Sequence, residues 1–221
     1  MSLNIASYID HTILKQTTTL SEIDRLCVEA SLENFVAVCV PPKYVPDVKK
    51  MLDGSKVKIA TVIGFPMGYN TIDIKVKEIE NALDVGADEV DMVINLCSLK
   101  SGDWKYLENE IAACLAPVYA RGKVLKVIVE SGMLTDSELV SACDLYSNYK
   151  IDYLKTSTGF ADKGATVHAV ELMRAHLPAK TGIKASGGIR DLAFATDLIN
   201  AGANRIGSSA SMHIMKESRT R

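Results

Sequence analysis

Short runs of β-branched and apolar residues recur along the chain, with segments of helical period between them. The runs are SYIDHT (7–12), FVAVCV (35–40), IATVIGF (59–65) and EVDMVIN (89–95). Four more follow: VLKVIVES (124–131), YLKTST (153–158), GIKASGG (182–188) and NRIGSS (204–209). Runs this short, bounded by turn residues, predict buried strands. Over 71–86, Ile72, Val76, Ile79 and Leu83 share one helical face, and Lys75, Lys77, Glu78 and Glu80 fall largely off it. Thr135 followed by Glu138 is a capping-box signature that opens another helix. Gly86, Gly122 and Gly202 stand where helices stop and loops return to strands.

Strict alternation of strand and helix implies parallel strands joined by right-handed crossovers. No linker or low-complexity segment divides the 221 residues, so residues 1–221 read as one domain. Eight units fit an α/β fold of the (β/α)8 TIM-barrel type, near the short end of its range. The alternative is an open doubly wound sheet, but no strand leads into the G-x-G-x-x-G of a dinucleotide fold. In a barrel, active sites gather at the C-terminal ends of the strands.

Polar residues interrupt these apolar runs. Asp10, Cys39, Asp91 and Asn95 lie in the first, second and fourth, and Lys126, Glu130, Lys155 and Lys184 in the next three. Any one of them reads first as a buried ion pair or an outward side chain. Two lysines and aspartates on neighbouring strands favour chemistry instead. A lysine is a nucleophile only when neutral, and its ordinary pKa of about 10.4 keeps it protonated near neutrality. Desolvation of Lys155 beside a second ammonium, Lys184, lowers that value and allows attack on a carbonyl to form a Schiff base. Asp91 is placed to move protons through water or Lys184. His11, next to Asp10, reads as a residue that only positions it, and Cys39 as a packing residue or thiol.

Glycine-rich elements end the last three strands: STG (157–159), SGG (186–188) and GSS (207–209). Side by side they favour an anion site of backbone N–H groups, with Ser208 and Ser209 as further donors. No G-x-x-x-x-G-K-[ST] points to a nucleoside triphosphate.

Composition narrows the classes. A net charge of -2 with scattered basic residues argues against a nucleic-acid partner. The five cysteines are widely spaced without a Cys-x-x-Cys pair, and no His/Asp/Glu spacing suggests a metal. Neither a secretory leader nor a membrane span of about 20 apolar residues is expected, so the default location is cytoplasmic.

YIDHTIL, VCVPPKYV, IGFPMG, ADEVDMVIN, LKVIVESGML, LKTSTGF, IKASGGI and NRIGSSA, in this order over residues 7–211, together resemble the deoxyribose-phosphate aldolases, which are class I aldolases. The resemblance implies a TIM barrel that reversibly cleaves 2-deoxy-D-ribose 5-phosphate to acetaldehyde and D-glyceraldehyde 3-phosphate, without metal or organic cofactor. It implies Lys155 as the Schiff-base lysine and Lys184 and Asp91 as the proton relay. Asp10 and Thr158 would orient sugar hydroxyls, and Cys39 would line the pocket. Gly159, Gly187, Gly188, Ser208 and Ser209 would hold the phosphate. The partner is a small phosphosugar, the expected assembly a homodimer, and the role deoxyribonucleoside catabolism.

Two departures stand out. The last phosphate element reads GSSAS, with Ala210 where some relatives carry a further serine. The C-terminal SMHIMKESRTR has no tyrosine for proton transfer, so slower turnover or a water-dependent step is expected. The rival readings are a phosphosugar isomerase or synthase on the same barrel, and a non-catalytic phosphosugar-binding protein.

Overall fold

The computed structural model describes residues 4–220. Its eight strands are β1 (Ile9–Thr12), β2 (Ala37–Val40), β3 (Lys58–Ile63), β4 (Glu89–Val93), β5 (Val124–Ile128), β6 (Tyr153–Lys155), β7 (Gly182–Ser186) and β8 (Arg205–Ser208). All neighbours pair in parallel and β8 pairs with β1, which closes the barrel. The α-helices are α1 (Leu20–Glu33), α2 (Val45–Met51), α3 (Ile72–Asp84), α4 (Leu96–Lys100), α5 (Trp104–Ala120), α6 (Asp136–Ser147), α7 (Val167–His176), α8 (Leu192–Asn200) and α9 (Ser211–Ser218). This is the TIM barrel that the strand–helix rhythm predicts.

Most strands are shorter than their apolar runs. YLKTST yields only Tyr153–Lys155, and Thr156–Thr158 become the loop above it. At this strand end the side chains of Thr156 and Ser186 take up backbone groups that a longer ladder would use. Thr156 Oγ1 donates to Ser186 O and accepts from Ser186 N, and Ser186 Oγ donates to Ser157 O. Helix α6 begins as expected, with a Thr135–Glu138 capping box.

Side-chain parity splits the barrel into two environments. Ile9, Val38, Ile59, Val90, Met92, Leu125, Val127, Leu154, Ile183 and Ile206 join the apolar faces of the helices in one continuous buried core. The intervening residues face the barrel axis. On β2 and β3 these are Cys39, Ala60 and Val62, a small apolar cluster of their own. On the other strands they include seven charged residues: Asp10, Glu89, Asp91, Lys126, Lys155, Lys184 and Arg205. His11 follows the same rule, which corrects its expected role beside Asp10. Adjacent strand residues point to opposite faces, and His11 Nε2 lies 2.8 Å from Glu29 Oε2 on α1, outside the barrel.

Lys75 departs from the amphipathic reading of α3. The helical pattern puts it largely off the apolar face, yet it is fully buried. Its ammonium donates to Glu110 Oε1 on α5 and to Val93 O at the end of β4, both at 2.7 Å. Glu110 Oε2 accepts from Asn95 N at 3.1 Å. Removing one partner from such a pair strands the other charge, whereas replacing both with apolar residues does not. Glu110→Ala is therefore expected to destabilise the fold by about 3–5 kcal/mol in urea titrations, and a Lys75→Met/Glu110→Leu double variant to recover most of the loss.

Candidate active site

Seven buried ionisable side chains meet inside the barrel, supplied by β1 and by β4 through β8. Asp91 on β4 is their hub. Its Oδ2 accepts from Lys155 Nζ on β6 and from Lys184 Nζ on β7, each at 2.7 Å. Its Oδ1 accepts from Lys126 Nζ on β5, also at 2.7 Å. Lys155 and Lys184 are direct register partners, so closure of the sheet sets the two lysines side by side. Gly207 on β8 leaves the room this requires, because a Cβ there would stand 3.1 Å from Lys184 Cε.

A lower set of ion pairs supports the hub. Lys184 Nζ lies 2.5 Å from Asp10 Oδ2, and Lys126 Nζ 2.6 Å from Glu89 Oε2. Arg205 bridges the two acids, with Nε donating to Asp10 Oδ1 at 2.6 Å and Nη2 to Glu89 Oε2 at 2.9 Å. Asp10, Glu89 and Asp91 thus face Lys126, Lys155, Lys184 and Arg205. With every group ionised, four positive charges would meet three negative ones.

The surplus falls on Lys155. Lys184 touches Asp10 and Asp91, Lys126 touches Asp91 and Glu89, and Arg205 touches Asp10 and Glu89. Lys155 has Asp91 alone. Burial depresses the Lys155 pKa and the Lys184 charge adds to the effect, against the pull of Asp91, so the value lies below that of an ordinary lysine. Burial also disfavours charge on Lys184 and Lys126, but there the carboxylates win: Asp10 and Asp91 raise Lys184, and Asp91 and Glu89 raise Lys126. Asp91 is held well below the usual carboxylate range, its burial outweighed by Lys126, Lys155 and Lys184.

Above this layer opens a cavity of about 290 Å³. The loops after β1, β6, β7 and β8 form its walls, and Lys155 lies at its floor. Thr158, Gly159, Gly187, Gly188, Ser208 and Ser209 all line it. Gly159, Gly187 and Gly188 have φ of 87°, 90° and 79°, a left-handed backbone that glycine adopts without the strain a Cβ would bring. A larger cavity of about 810 Å³ lies at the opposite end of the barrel, around Lys123, Tyr153, Gly182 and Asn204. None of the candidate residues reaches it.

Other placements sharpen the sequence reading. Lys184, Asp91 and Asp10 lie beneath the cavity, fully or almost fully buried, and act on it through Lys155. Asp10 is bonded to Lys184 and Arg205 rather than directed at a sugar hydroxyl. Cys39 is sealed among Ala60, Val62, Leu14 and Phe65 instead of lining the cavity, and burial pushes its thiol pKa up. The Ser208 hydroxyl is committed, donating to Ile189 O and accepting from Ala210 N. Any anion contact there falls to backbone N–H groups and to exposed Ser209.

Four residues of the charge layer or cavity escaped sequence reasoning. Glu89 and Arg205 carry the same inward parity as Asp91 and Lys184, and that parity is the signal that finds them. Lys15 and Arg190 flank the glycine loops at the cavity, in segments with no periodicity to mark them. Among the described residues no cluster of three or more His, Cys, Asp or Glu is arranged for a metal ion. None of the helices among them is long and apolar enough to cross a membrane.

The acid limb of stability tests the charge layer. Burial alone would raise the Asp10 pKa, but Lys184, Arg205 and Lys126 pull it down to about 2. A carboxyl with a lowered folded pKa stabilises fully above its unfolded value of about 3.9 and loses that contribution as pH falls through the folded value. The stability gap between the native chain and Asp10→Asn should therefore narrow as pH is lowered from about 5 to about 2 in urea titrations. A gap constant over that range would show that Asp10 is not held ionised by its neighbours.

The comparisons with known proteins agree with this geometry. Residues 4–213 match the model of the DeoC/LacD family aldolases. The deoxyribose-phosphate aldolase of Thermoanaerobacter sp. (strain X514) is 49% identical over 216 residues, 97% of each chain. That of Lactococcus lactis subsp. lactis is 46% identical over 215 residues, 97% of this chain and 96% of its own. Among solved structures, the deoxyribose phosphate aldolase of Aeropyrum pernix superposes with a TM-score of 0.91 at 31% identity, covering 98% of this chain and 91% of the other. A buried lysine pair on one aspartate, roofed by glycine loops at the C-terminal mouth of a TIM barrel, is thus set in a chain that belongs to the DeoC/LacD family of aldolases.

Proposed function

We propose that the protein is a deoxyribose-phosphate aldolase that cleaves 2-deoxy-D-ribose 5-phosphate through a Schiff base on Lys155. The observation that carries this reading is the single anionic contact of Lys155, which makes it the one cation of the layer whose pKa is lowered rather than raised. The neutral amine attacks C1 of the open-chain sugar. The carbinolamine formed loses water to give a protonated imine. A base removes the proton of the C3 hydroxyl, the C2–C3 bond breaks, and its electron pair flows to the imine nitrogen as an enamine. D-Glyceraldehyde 3-phosphate leaves. Protonation of C2 and hydrolysis then release acetaldehyde and restore Lys155, with no net oxidation and no cofactor.

Lys184 and Asp91 suit the proton-handling role. They touch at 2.7 Å, and Asp91 Oδ2 also touches Lys155, so a proton has a continuous path beneath the reacting carbon. Asp91 alone is too strongly held as a carboxylate to be an effective base. Lys184, protonated between two carboxylates, supplies protons and Asp91 keeps it charged. The phosphate reading places the anion against the amides of Gly159, Gly187, Gly188 and the Ser208–Ser209 segment, with Lys15 and Arg190 as flanking cations. Thr158 faces the sugar hydroxyls. The same reading includes a cytoplasmic location and a homodimer; the Aeropyrum pernix relative is described as a tetramer, so self-association occurs on this fold.

Borohydride reduction in the presence of acetaldehyde should add one ethyl group to the native chain, mapped by peptide mass to Lys155, and none to Lys155→Ala. Full trapping by Lys155→Ala would assign the nucleophile elsewhere, and absence of trapping in the native chain would leave a phosphosugar-binding protein. In the same assay system, Asp91→Asn should slow exchange of the acetaldehyde methyl protons with solvent by at least about a hundredfold. Unchanged exchange would remove Asp91 from the relay.

A further inference from the structure

Glu130 is a buried carboxylate that the charge layer does not use. It is one of two non-glycine residues with positive φ among the described residues. The other, Asn34, is a helix C-cap, where asparagine is at home. Glu130 has φ 52° and ψ 56°, a conformation that costs a residue with a Cβ about 1–2 kcal/mol. Backbone strain of this kind persists where the surrounding structure fixes it.

The ladder shows what the conformation achieves. Val129 N donates to Lys155 O, and a regular parallel ladder would next bond Ser131 N to Ser157 O. Ser131 N meets Thr156 O instead, at 2.7 Å, so β5 carries one extra residue against the end of β6. That residue is Glu130. The bulge sends its side chain under the loop after β6, where the carboxylate accepts from Thr158 N at 3.2 Å and from the Thr158 hydroxyl. Glu130 is 2% exposed and lines no part of the cavity. Burial raises its carboxyl pKa, and the Thr158 donors and Lys155 oppose the rise.

These contacts settle which way Thr158 is polarised. A hydroxyl has one proton and two lone pairs. Glu130 takes the proton, and Phe160 N donates to one lone pair at 3.1 Å. One lone pair remains, on a residue that lines the cavity. We infer that Glu130 is a positioning residue that locks the Thr158 hydroxyl as a pure hydrogen-bond acceptor, so that the site selects a substrate presenting a hydroxyl donor at that point.

The inference rests on the aldolase reading above and deepens it. A substrate whose oxygen there is blocked or missing would meet an acceptor with nothing to accept. Acetaldehyde, which forms its Schiff base on Lys155 without any hydroxyl, is indifferent to Thr158. Glu130→Gln disturbs this polarity, because its single amide oxygen must serve both Thr158 donors while its NH2 group competes as a donor.

A double-mutant cycle tests the inference. Cleavage of 2-deoxyribose 5-phosphate is followed for the native chain, Glu130→Gln, Thr158→Val and the pair, with acetaldehyde trapping as a second readout. Glu130→Gln is expected to raise KM roughly tenfold, the effect of one lost hydrogen bond, while acetaldehyde trapping falls far less. In the Thr158→Val background the same change should raise KM by less than twofold, because the group through which Glu130 acts is already gone. Effects that multiply independently, or a parallel loss of trapping, overturn the inference and leave Glu130 a structural residue. A native chain with no cleavage activity overturns the aldolase reading itself, and the inference with it.

Discussion

Asp91 receives three ammonium groups on two oxygens, and the chemistry of the barrel interior depends on that sharing. A buried carboxylate with one lysine would form a neutral pair and hold both partners at their ordinary protonation. With three, the carboxylate stays ionised while its attraction is divided. Lys126 and Lys184 recover what they lack from Glu89 and Asp10. Lys155 recovers nothing, and it stands where the layer meets the cavity. The group least able to keep its proton is therefore also the group best placed to reach a carbonyl. Neither property follows from Lys155 itself. Both follow from which strands lie beside it.

A charged interior of this size is a poor source of stability, since desolvation of buried ions offsets much of their attraction. The fold answers by separating the tasks. The apolar core lies between strands and helices, continuous around the barrel, and each strand buries its outward residues there. Hydrophobic burial on that side stabilises the closed sheet, and the sheet then holds the inward charges in fixed register. Even the interior is divided: Cys39, Ala60 and Val62 give the β2–β3 sector an apolar lining beside the charged sector from β4 to β1. A lysine reached through that lining loses hydration, which strengthens the depression of its pKa.

Much of this was legible in the sequence because parity and register are sequence properties. The eight apolar runs give eight strands, and a lysine at the end of the sixth and one within the seventh become neighbours once the sheet closes. What escaped was whatever depends on who faces whom across the barrel. Asp10 and Cys39 sit on strands that border the site, yet Arg205 draws Asp10 down into the layer and Val62 and Phe65 seal Cys39. Lys75 departs from its pattern for a similar reason. A helical wheel counts a lysine as solvent-facing, and nothing local reveals that Glu110, 35 residues later, waits beside it. The strands end earlier than the apolar runs suggest because, as at β6, the Thr156 and Ser186 hydroxyls bond backbone carbonyls of Ser186 and Ser157, a choice that propensity does not register.

The two buried charge networks, one inside the barrel and one outside, share a strand. Inside, Glu89 and Asp91 project from β4 into the layer. Outside, Lys75 bonds Val93 O and Glu110 bonds Asn95 N, the groups left without ladder partners where β4 gives way to the loop before α4. A strand end is normally where backbone begins to fray, and a carboxylate two residues from such an end would be free to drift. Drift of even a fraction of an ångström matters here, because Asp91 divides two oxygens among three donors at hydrogen-bond distance. The Lys75–Glu110 pair removes that freedom from outside the barrel, where both of its side chains are fully buried. Its burial, which contributes little to stability as an ion pair, is explained by what it holds still: the carboxylate whose placement sets the proton affinity of Lys155.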